Sequence, residues 1–556
     1  MAADTTDLDE LRAQARRWLE DDPDPASRDE LRVVLDGLPG SAQELADRFA
    51  GPLTFGTAGL RGPLRAGPNG MNLAVVTQAA AGLVNWLADQ GGEGPLVIGY
   101  DARHGSRAFA ERTAQVATGA GRPALLLPRP LPTPVLAYAV RHLGAVAGVM
   151  VTASHNPPQD NGYKVYLGAS LGGELGAGAQ IVPPADAGIE AAIRAVGPLT
   201  RVPLGPPGEV LGDDLVAAYV ERATAVVDPT GPRDLKVAYT PLHGVGGAVL
   251  TAAFTRAGFA VPGVVPDQAE PDPAFPTVSF PNPEEPGAVD KLVALAGTIG
   301  ADIAIANDPD ADRCAVAVPD GAGWRMLRGD ELGALLADHL MRRGVTGLYA
   351  TTIVSSSLLR AMCATRGLPY DETLTGFKWI VRAGGGTEPL VFGYEEALGY
   401  CVAPEHVRDK DGITAALTVA ELAAGLKAQG RTLSDRLDEL AAEFGVHHTD
   451  QLSVRVDDLR MIAEMMTRIR AATPEALLGH PVTEATDLLP GADVVILRTD
   501  AARVVIRPSG TEPKLKAYLE VVEPVTDGDV PAARHRAQMA VSALRTEIAM
   551  ALGLQV

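Results

Sequence analysis

The feature that most constrains the fold of this chain is a repeated alternation of short apolar runs with stretches of helical character. Several apolar runs lead directly into a polar or glycine-containing loop. The predicted strands cover residues 96–100, 146–152, 236–239, 302–306, 348–353, 390–393 and 503–506. Such an alternation predicts an α/β architecture, in which ligands gather beyond the carboxyl ends of the strands.

Length and composition indicate a multidomain globular protein. A chain of 556 residues is too long for a single hydrophobic core, so we expect three or four domains. Hydrophobic residues make up 46% of the chain and charged residues 21%, which is typical of a folded protein. The first fifty residues predict helices. Proline- and glycine-rich stretches predict linkers at 203–212 with 228–234 and around Gly344, and we expect another linker at 447–451.

Charge and cysteine content exclude several classes of function. The net charge of −21 argues against a general nucleic-acid surface, and any phosphate-binding site must concentrate its Arg and Lys locally. The three cysteines form no CxxC pair and no plausible disulfide framework. The acidic N-terminus is unlike a signal peptide, and no apolar run is long enough for a membrane span. We therefore expect a cytoplasmic protein that binds neither nucleic acid nor membranes.

Ser154 lies in the segment Thr152-Ala-Ser-His-Asn-Pro157, which follows the most apolar predicted strand in the first third of the chain. A serine at this point can serve as a nucleophile on a tight loop. A simple Ser/Asn/Pro turn fits the segment equally well. The nucleophile elbow of the α/β-hydrolases is excluded because glycines do not flank the serine at the required positions.

A second segment, Asn307-Asp-Pro-Asp-Ala-Asp-Arg313, places three carboxylates at alternating positions between two predicted strands. Such carboxylates can converge on one hard cation, and Arg313 suits a phosphate oxygen. An EF-hand needs glycine at its sixth position and glutamate at its twelfth, where this chain has Arg313 and Pro319. A solvated acidic turn is the remaining alternative. We expect this loop to be exposed in a binding cleft.

A third segment, Arg507-Pro-Ser-Gly-Thr-Glu-Pro-Lys514, combines hydroxyls, a glycine backbone and two basic residues, as a phosphate-binding loop does. An ordinary hairpin loop has a similar composition. Other motifs fail on their details. His243-Gly-Val-Gly-Gly247 lacks the third glycine of a dinucleotide fingerprint, and the chain contains neither GxxxxGK[ST] nor HExxH.

In this order and at these separations, the three segments resemble those of the α-D-phosphohexomutase superfamily, which includes phosphoglucomutases and phosphomannomutases. The resemblance extends over residues 51–518. The segments Gly56-Thr-Ala-Gly-Leu-Arg-Gly62 and Thr375-Gly-Phe-Lys-Trp-Ile380 are more similar to the branch that contains phosphoglucomutase-2 and bacterial phosphomannomutase-type proteins. That branch also includes enzymes that act on pentose phosphates. The resemblance implies three α/β domains with mixed sheets and a smaller α+β domain around a central cleft. The expected boundaries are 1–228, 229–340, 341–452 and 453–556.

The resemblance also implies roles for individual residues. Ser154 would carry the phosphoryl group and, with Asp308, Asp310 and Asp312, would bind one Mg²⁺ per active site. The residues implied around the transferring phosphoryl group are Arg61, His155, Lys164 and Arg313, and Lys410 matches a position proposed for proton transfer. The residues implied for substrate binding are Thr375, Gly376, Lys378, Glu395 and Glu396 at the sugar, and Arg507, Ser509, Gly510 and Thr511 at the second phosphate.

The implied activity is exchange of a phosphoryl group between C1 and C6 of glucose or mannose through a sugar bisphosphate, which also acts as activator. Ala397 stands where many hexose mutases have serine, which leaves exchange between C1 and C5 of a pentose phosphate as an alternative. A phosphatase using the same serine and a non-catalytic phosphosugar sensor are more distant alternatives. A phosphatase has no need of the second phosphate-binding segment.

Overall fold

The computed structural model describes residues 5–321, 323–456, 458–509 and 514–554, and the chain forms two compact units. Unit 1 comprises Met1–Leu327, Gly376–Tyr394 and Leu398–Gln429. Unit 2 comprises Arg328–Thr375, Glu395–Ala397 and Gly430–Val556. The chain therefore passes between the units several times.

Three helices open unit 1, as the sequence predicts, and they span Thr5–Asp21, Pro25–Asp36 and Ala42–Arg48. They enclose a small core that includes Ala15, Leu31 and Leu45. The second helix begins with Pro25, and the side chain of Asp24 caps it by accepting a hydrogen bond from the Ala26 backbone. Proline is well suited to this first helical position because its missing N–H would have no helical partner there.

The first sheet of unit 1 is mixed. Its strands, in spatial order, are Leu60–Pro63, Asp160–Leu167, Ala147–Val151, Leu96–Tyr100, Ala124–Leu126 and Glu209–Val210, with Ala179–Gln180 beside the second of them. Leu96–Tyr100 runs parallel to Ala147–Val151, and Asp160–Leu167 returns antiparallel to that strand. The two central strands are fully buried, which explains their unbroken apolar sequences.

A second mixed sheet of unit 1 has the spatial order Gly323–Met326, Ala315–Asp320, Ile303–Ala306, Val237–Thr240 and Gly263–Val264. Ile303–Ala306 is parallel to Val237–Thr240 and antiparallel to Ala315–Asp320. The loop between the antiparallel strands carries the three aspartates. Two further strands lie at Leu390–Glu395 and Gly399–Cys401.

Helices separate the strands of unit 1, as expected for an α/β fold. They span Leu73–Asp89, Ser106–Gly119, Thr133–His142, Ala169–Gly176, Ala185–Arg194, Asp213–Thr224, Gly246–Arg256, Asp290–Ile299, Phe377–Ile380 and Gly412–Lys427. Leu73–Asp89 is apolar around most of its circumference, which agrees with the burial of most of its residues. Among the described residues, no helix has the length and apolar character needed to cross a membrane.

Unit 2 contains a parallel strand pair and an antiparallel sheet. Leu348–Thr352 runs parallel to Tyr370–Thr373. The antiparallel sheet has the order Val446–Arg455, Lys514–Glu523, Ala502–Pro508, Val495–Arg498 and Glu484–Asp487, and a separate pair is formed by Ala476–Leu477 and His480–Pro481. The helices are Gly329–Arg342, Leu358–Arg366, Leu433–Phe444, Leu459–Ala471 and Val530–Ala551.

The predicted linker at 447–451 is wrong, because these residues lie inside the strand Val446–Arg455. That strand pairs along its whole length with Lys514–Glu523. Its polar side chains reflect partial exposure of the strand rather than irregular backbone. By contrast, each of the seven predicted strands in the first paragraph coincides with an observed strand to within two residues at either end.

Candidate active site

Ser154 lies in the loop that connects the buried strand Ala147–Val151 to its antiparallel neighbour Asp160–Leu167. Its backbone adopts a φ of 50°, which is uncommon for a residue other than glycine. The Ser154 N–H donates to Thr152 Oγ1 at 2.9 Å, and the side chain is nearly buried. Such strained backbone persists where the surrounding structure fixes it, and it is frequent at functional sites.

Two buried residues hold this loop, and the sequence analysis assigned no role to either. Arg103 donates from Nη2 to the Ser154 carbonyl at 2.6 Å and from Nη1 to the Pro157 carbonyl at 2.7 Å. Asp101 accepts from Thr152 Oγ1 at 2.7 Å. Both residues follow strand Leu96–Tyr100, which lies parallel to Ala147–Val151, so the carboxyl ends of the two strands meet at one edge. This adjacency was the available signal.

The three aspartates of the second segment converge beside Ser154. Their carboxylate oxygens lie within 4.8 Å of one another, and Ser154 Oγ donates to Asp308 Oδ2 at 2.8 Å. Thr133 supports Asp310 by donating from Oγ1 at 2.7 Å. The expectation of an exposed loop is wrong, because Asp308, Asp310 and Asp312 are all buried. The loop is covered by surrounding segments of unit 1.

Backbone packing around this loop explains the glycine-rich segment at 243–247. Val245 donates its N–H to the Pro309 carbonyl at 2.8 Å, and a Cβ on Gly244 would lie 2.4 Å from Pro309 Cα. On another side, a Cβ on Gly412 would lie 2.2 Å from the Arg313 carbonyl oxygen. Both glycines are required because main chain packs directly on main chain here. The segment thus supports the aspartate loop instead of binding a dinucleotide.

The aspartate cluster has the properties of a divalent-cation site. Asp310 Oδ1 and Asp312 Oδ1 are buried and have no hydrogen-bond partner among the described residues. Burial, together with the neighbouring Asp310 and Asp312 carboxylates, raises the pKa of Asp308 well above its usual value. Buried anions of this kind need a compensating charge, and carboxylate oxygens are the ligands that hard divalent cations prefer. The residues present therefore fit a metal ion.

Two lysines partly offset this negative charge. Lys164 Nζ lies 2.8 Å from Asp310 Oδ2 and 3.2 Å from Asp312 Oδ2, and Lys410 Nζ lies 3.2 Å from Asp312 Oδ2. Burial alone would lower the pKa of Lys164, but the Asp310 and Asp312 carboxylates outweigh it, and the pKa is raised. Lys164 therefore remains an ammonium ion. The predicted residues Lys164 and Lys410 are thus brought together at Asp312.

Asp409 connects this cluster to a buried polar network that the sequence analysis missed. Its carboxylate accepts from Tyr166 Oη at 2.8 Å and from Gln180 Nε2 at 2.9 Å, and it lies 3.5 Å from Lys410 Nζ. Although burial opposes ionisation, Lys410 and Lys164 lower the pKa of Asp409. Lys410 Nζ is thus held near the carboxylates of both Asp312 and Asp409. Asp409 adjoins Lys410 in the sequence, but nothing in the sequence indicates that Tyr166 packs against it.

Three further predicted residues surround Ser154. His155 Nδ1 is 3.1 Å from Ser154 Oγ, and burial together with Arg313 and Arg61 lowers the pKa of His155 well below its usual value. The imidazole is therefore neutral near pH 7. Arg313 Nε lies 3.9 Å from an oxygen of Asp308 and of Asp312. Arg61 donates from Nη1 to Asn156 Oδ1 at 3.1 Å.

The segment predicted to contact a sugar begins in unit 2 with Thr375 and continues in unit 1 from Gly376. Gly376 has a φ of 112° and precedes the short helix Phe377–Ile380. Within unit 1, Lys378 Nζ donates to Thr57 Oγ1, so it joins the glycine-rich segment 56–62. The structure therefore brings Lys378 close to the segment that also carries Arg61.

Unit 2 holds Glu395 and Glu396. Glu396 Oε2 accepts from Ser355 Oγ at 3.0 Å and from Thr352 Oγ1 at 3.3 Å. Burial of the carboxyl is the largest cause that raises the pKa of Glu396 to about 7, and repulsion from Glu395 and Asp330 adds to it. Glu396 is still partly exposed, so a hydroxyl of a ligand can reach it.

Arg507 and Ser509 lie at the end of strand Ala502–Pro508, also in unit 2. Ser509 donates its N–H to the Lys514 carbonyl at 2.8 Å. The Arg507 guanidinium lies near the Tyr518 hydroxyl, whose pKa is raised by burial and by the nearby Glu396. Tyr518 thus lies close to both predicted groups, a role that the sequence did not indicate. Gly510 and Thr511 lie outside the described residues.

Comparison with known families assigns this chain. Four family models match it in succession, all described as phosphoglucomutase/phosphomannomutase: the alpha/beta/alpha domains I, II and III over residues 52–197, 217–321 and 328–444, and the C-terminal domain over residues 452–534. The chain belongs to the phosphoglucomutase/phosphomannomutase family. This mutase therefore has three α/β domains and a C-terminal domain, and the predicted superfamily and fold class are confirmed.

Individual relatives agree with this assignment. A probable phosphomannomutase of Haemophilus influenzae is 46% identical over 81% of this chain and 93% of its own length. A phosphopentomutase of Mus musculus is 34% identical and covers 94% of this chain and 91% of its own. A solved structure of a phosphomannomutase candidate from Thermus thermophilus has a TM-score of 0.69 and 28% identity, and covers 88% of this chain and 99% of its own. The chain is thus a phosphosugar-mutase-family enzyme, an intramolecular phosphotransferase.

Proposed function

We propose that this mutase interconverts hexose 1-phosphate and hexose 6-phosphate, with glucose or mannose as the sugar, through a phosphorylated Ser154. The observation that carries the proposal is the contact of Ser154 Oγ with Asp308 at 2.8 Å inside a cluster of three buried carboxylates. Phosphoryl transfer needs an oxygen nucleophile, a charge-neutralising site and precise positioning more than it needs covalent protein chemistry. The groups around Ser154 meet these needs.

The proposed reaction consists of two transfers. In the first, the bond between phosphorus and Ser154 Oγ breaks while a bond forms from phosphorus to the oxygen of a free sugar hydroxyl. Ser154 Oγ leaves as an oxyanion, and Lys410, as the neutral amine left after its ammonium proton has passed to solvent, takes up the hydroxyl proton. In the second, the Ser154 oxyanion attacks the other phosphoryl group of the sugar bisphosphate, and Lys410 returns the proton to the sugar oxygen from which that group departs. Asp308, Asp310 and Asp312 would hold Mg²⁺, which would supply charge neutralisation for the phosphoryl oxygens.

Arg61, Arg313 and Lys164 are assigned to the oxygens of the transferring group. Guanidinium and ammonium groups bind such oxygens through charge-assisted hydrogen bonds, and guanidinium groups can do so bidentately. The neutral His155 can donate or accept a hydrogen bond at Ser154 without adding charge. Asp101 and Arg103 would hold the Ser154 loop during both transfers, because they bind its backbone carbonyls and the Thr152 hydroxyl.

Unit 2 would bind the remainder of the substrate. We assign Glu395 and Glu396 to sugar hydroxyls, and Arg507 with Ser509, Gly510 and Thr511 to the phosphate that is not being transferred. A second phosphate-binding group favours a mutase over a phosphatase, because hydrolysis at Ser154 would need no hold on a second phosphate.

Exchange between C1 and C5 of a pentose phosphate is the second candidate. Ala397 supports it, since one hydroxyl available to a hexose is absent. Relatives named phosphopentomutase also support it, because the mouse protein covers 94% of this chain. A missing hydrogen bond to the sugar lowers discrimination between substrates that differ by one hydroxyl.

Parallel assays of glucose 1-phosphate, mannose 1-phosphate and ribose 1-phosphate, each with Mg²⁺ and a trace of the matching bisphosphate, test the proposal. We expect the largest kcat/KM with one of the hexose phosphates. A larger value with ribose 1-phosphate would support the pentose alternative. Release of inorganic phosphate at the rate of substrate consumption would contradict both mutase reactions.

A further inference from the structure

A second pocket lies wholly within unit 2 and contains none of the residues assigned above to substrate. It is a cavity of about 380 Å³ between one face of helix Leu358–Arg366 and the turn that joins strands Val495–Arg498 and Ala502–Pro508. The small side chains of Ala361, Ala364 and Ala501 leave the space open. Its volume is in the range of sites for small metabolites.

Three guanidinium groups of this pocket share one carboxylate. Glu372 lies 2.8 Å from Arg360, 3.4 Å from Arg498 and 3.9 Å from Arg503. Arg498 otherwise meets Glu484 at 3.5 Å, and that glutamate is largely exposed. These arginines are therefore ion-paired, and a phosphate bound in the pocket would share them with Glu372.

Arg503 gives this pocket an oriented donor. The residue is only 5% exposed, and its Nη2 donates to the Ser355 carbonyl and lies 3.2 Å from Glu520 Oε2. Its Nη1 has no hydrogen-bond partner among the described residues, whereas Glu520 Oε2 has the ion pair with Arg503. A buried donor without a partner is costly unless a ligand or water binds it.

We propose that this pocket binds a small phosphorylated metabolite with hydroxyl groups. Arg360, Arg498 and Arg503 would bind the phosphate oxygens, since guanidinium groups form strong charge-assisted hydrogen bonds with phosphate. Glu520 would accept a hydrogen bond from a hydroxyl of the ligand. Asp500, which also lines the pocket, disfavours ligands that are anionic at both ends. The pocket exceeds what one phosphate group fills, which leaves room for a short polyol chain.

Ser355 connects the pocket to the sugar-side residue Glu396. The Ser355 carbonyl accepts from Arg503, and Ser355 Oγ donates to Glu396 Oε2 at 3.0 Å. The adjacent Ser356 donates to Glu520 Oε1 at 2.7 Å. A ligand that draws Arg503 or Glu520 into the pocket would therefore act on the backbone that holds Glu396. This coupling, unlike the binding itself, rests on the proposed function.

Calorimetric titration of the full-length enzyme with glycerol 3-phosphate tests the binding. In Arg507→Ala, where the proposed substrate phosphate site is weakened, we expect one binding event to persist. Adding Arg360→Gln or Arg498→Gln to that variant should weaken it about ten- to hundredfold, as for a lost hydrogen bond to a charged group. Arg460→Gln, on an arginine side chain that is 87% exposed in the same unit, should leave it unchanged.

Arg360 is half exposed, so its replacement tests the site without unfolding the protein, and a melting curve of each variant verifies this. Binding that is lost in Arg507→Ala, or that survives both pocket substitutions, overturns the proposal. Inorganic phosphate and glycerol serve as separate probes. Equal binding of inorganic phosphate would contradict the hydroxyl contact, and binding of glycerol alone would contradict the phosphate contact.

The coupling is measured separately. Glycerol 3-phosphate should change the KM for hexose phosphate by at least about twofold in the native enzyme and in Arg460→Gln, but not in Arg360→Gln. Binding without any change in KM would overturn the coupling and leave the site established. Absence of mutase activity with intact binding would count against the proposed function alone.

Discussion

At the scale of single residues, the site around Ser154 is a balance of buried charges. Asp308, Asp310 and Asp312 place three carboxylates within 4.8 Å, while Lys164 and Lys410 supply two ammonium groups. A phosphoryl group on Ser154 would add about −1.5 to −2 charges at neutral pH. The lysines cannot neutralise this total. A divalent cation among the aspartates is the simplest compensation.

Asp308→Asn tests this balance through stability as well as activity. The substitution removes one buried charge, so we expect the metal-free variant to melt above the metal-free native protein. Mg²⁺ at a hundred times its Kd stabilises a protein by about 2.7 kcal/mol, and the variant should lose most of that gain and most of its kcat. Differential scanning calorimetry with EDTA or Mg²⁺ measures the two changes in stability, and steady-state kinetics measure kcat. Asp320→Asn, at an exposed position of the same sheet, is the control.

An equal response of native protein and Asp308→Asn to Mg²⁺ would contradict a metal site at this aspartate. Full activity of the native enzyme after chelation would contradict the need for a metal ion.

Glu396 predicts a pH dependence of substrate binding. Its pKa is raised to about 7, so it is a carboxylate above that pH and takes up a proton as the pH falls through it. A neutral carboxyl accepts weaker hydrogen bonds than a carboxylate does. We therefore expect KM to rise about three- to tenfold between about pH 8 and about pH 6, as the loss of charge in one hydrogen bond implies. Steady-state kinetics across this range measure it.

Glu396→Gln should show a KM that is high and nearly independent of pH over the same range. The same pH dependence in native enzyme and variant would assign the titration to another group.

At the scale of elements, the aspartate loop depends on glycines that belong to other segments. A Cβ on Gly412, the first residue of helix Gly412–Lys427, would lie 2.2 Å from the Arg313 carbonyl oxygen. Gly412→Ala should displace this loop and lower both Mg²⁺ affinity and kcat at least tenfold. Gly425 lies in the same helix with open space around it, so Gly425→Ala should stabilise the helix by about 0.5–1 kcal/mol. Metal titration and thermal melting distinguish the two.

Normal Mg²⁺ affinity in Gly412→Ala would mean that the loop adapts to the helix. Loss of affinity in Gly425→Ala would mean that the effect is general to the helix.

The elements also show what the sequence could predict. The apolar runs at 96–100 and 303–306 are buried strands, and local sequence sufficed to find them. The three site segments were found because Ser154, the aspartates and Arg507 each follow such strands. Arg103, Tyr166 and Tyr518 were missed because their contacts join residues far apart in the chain. The aspartate loop was wrongly expected to be exposed. It is covered by the backbone around Gly244 and Gly412, and these contacts join segments that are far apart in the chain.

At the scale of the whole molecule, the chain places the two sets of groups in two compact units. Unit 1 holds Ser154 and the aspartates, and unit 2 holds Glu395, Glu396 and Arg507. The proposed reaction requires both sets to act on one bisphosphate before it is released. The chain passes repeatedly between the units, so neither unit is formed by one continuous segment.

Arg507→Ala tests retention of the intermediate. Losing a hydrogen bond to a charged partner costs about 1.5–3 kcal/mol, which weakens the hold on the ligand about ten- to hundredfold. We expect a higher KM, release of sugar bisphosphate into the medium, and partial rescue of the rate by added bisphosphate. Anion-exchange chromatography of the reaction mixture detects the release. Arg460→Gln should release none.

A variant that neither releases bisphosphate nor responds to its addition would exclude Arg507 as the holding group.

Mass spectrometry of the peptide containing Ser154 tests the central claim most directly. The spectrum is recorded for purified enzyme and again after mixing it with a stoichiometric amount of glucose 1-phosphate and Mg²⁺. The account predicts phosphate on Ser154 before mixing, its transfer to the sugar as bisphosphate after mixing, and neither signal nor turnover in Ser154→Ala. Catalysis by enzyme whose Ser154 is never phosphorylated, or by Ser154→Ala at the native rate, would contradict it.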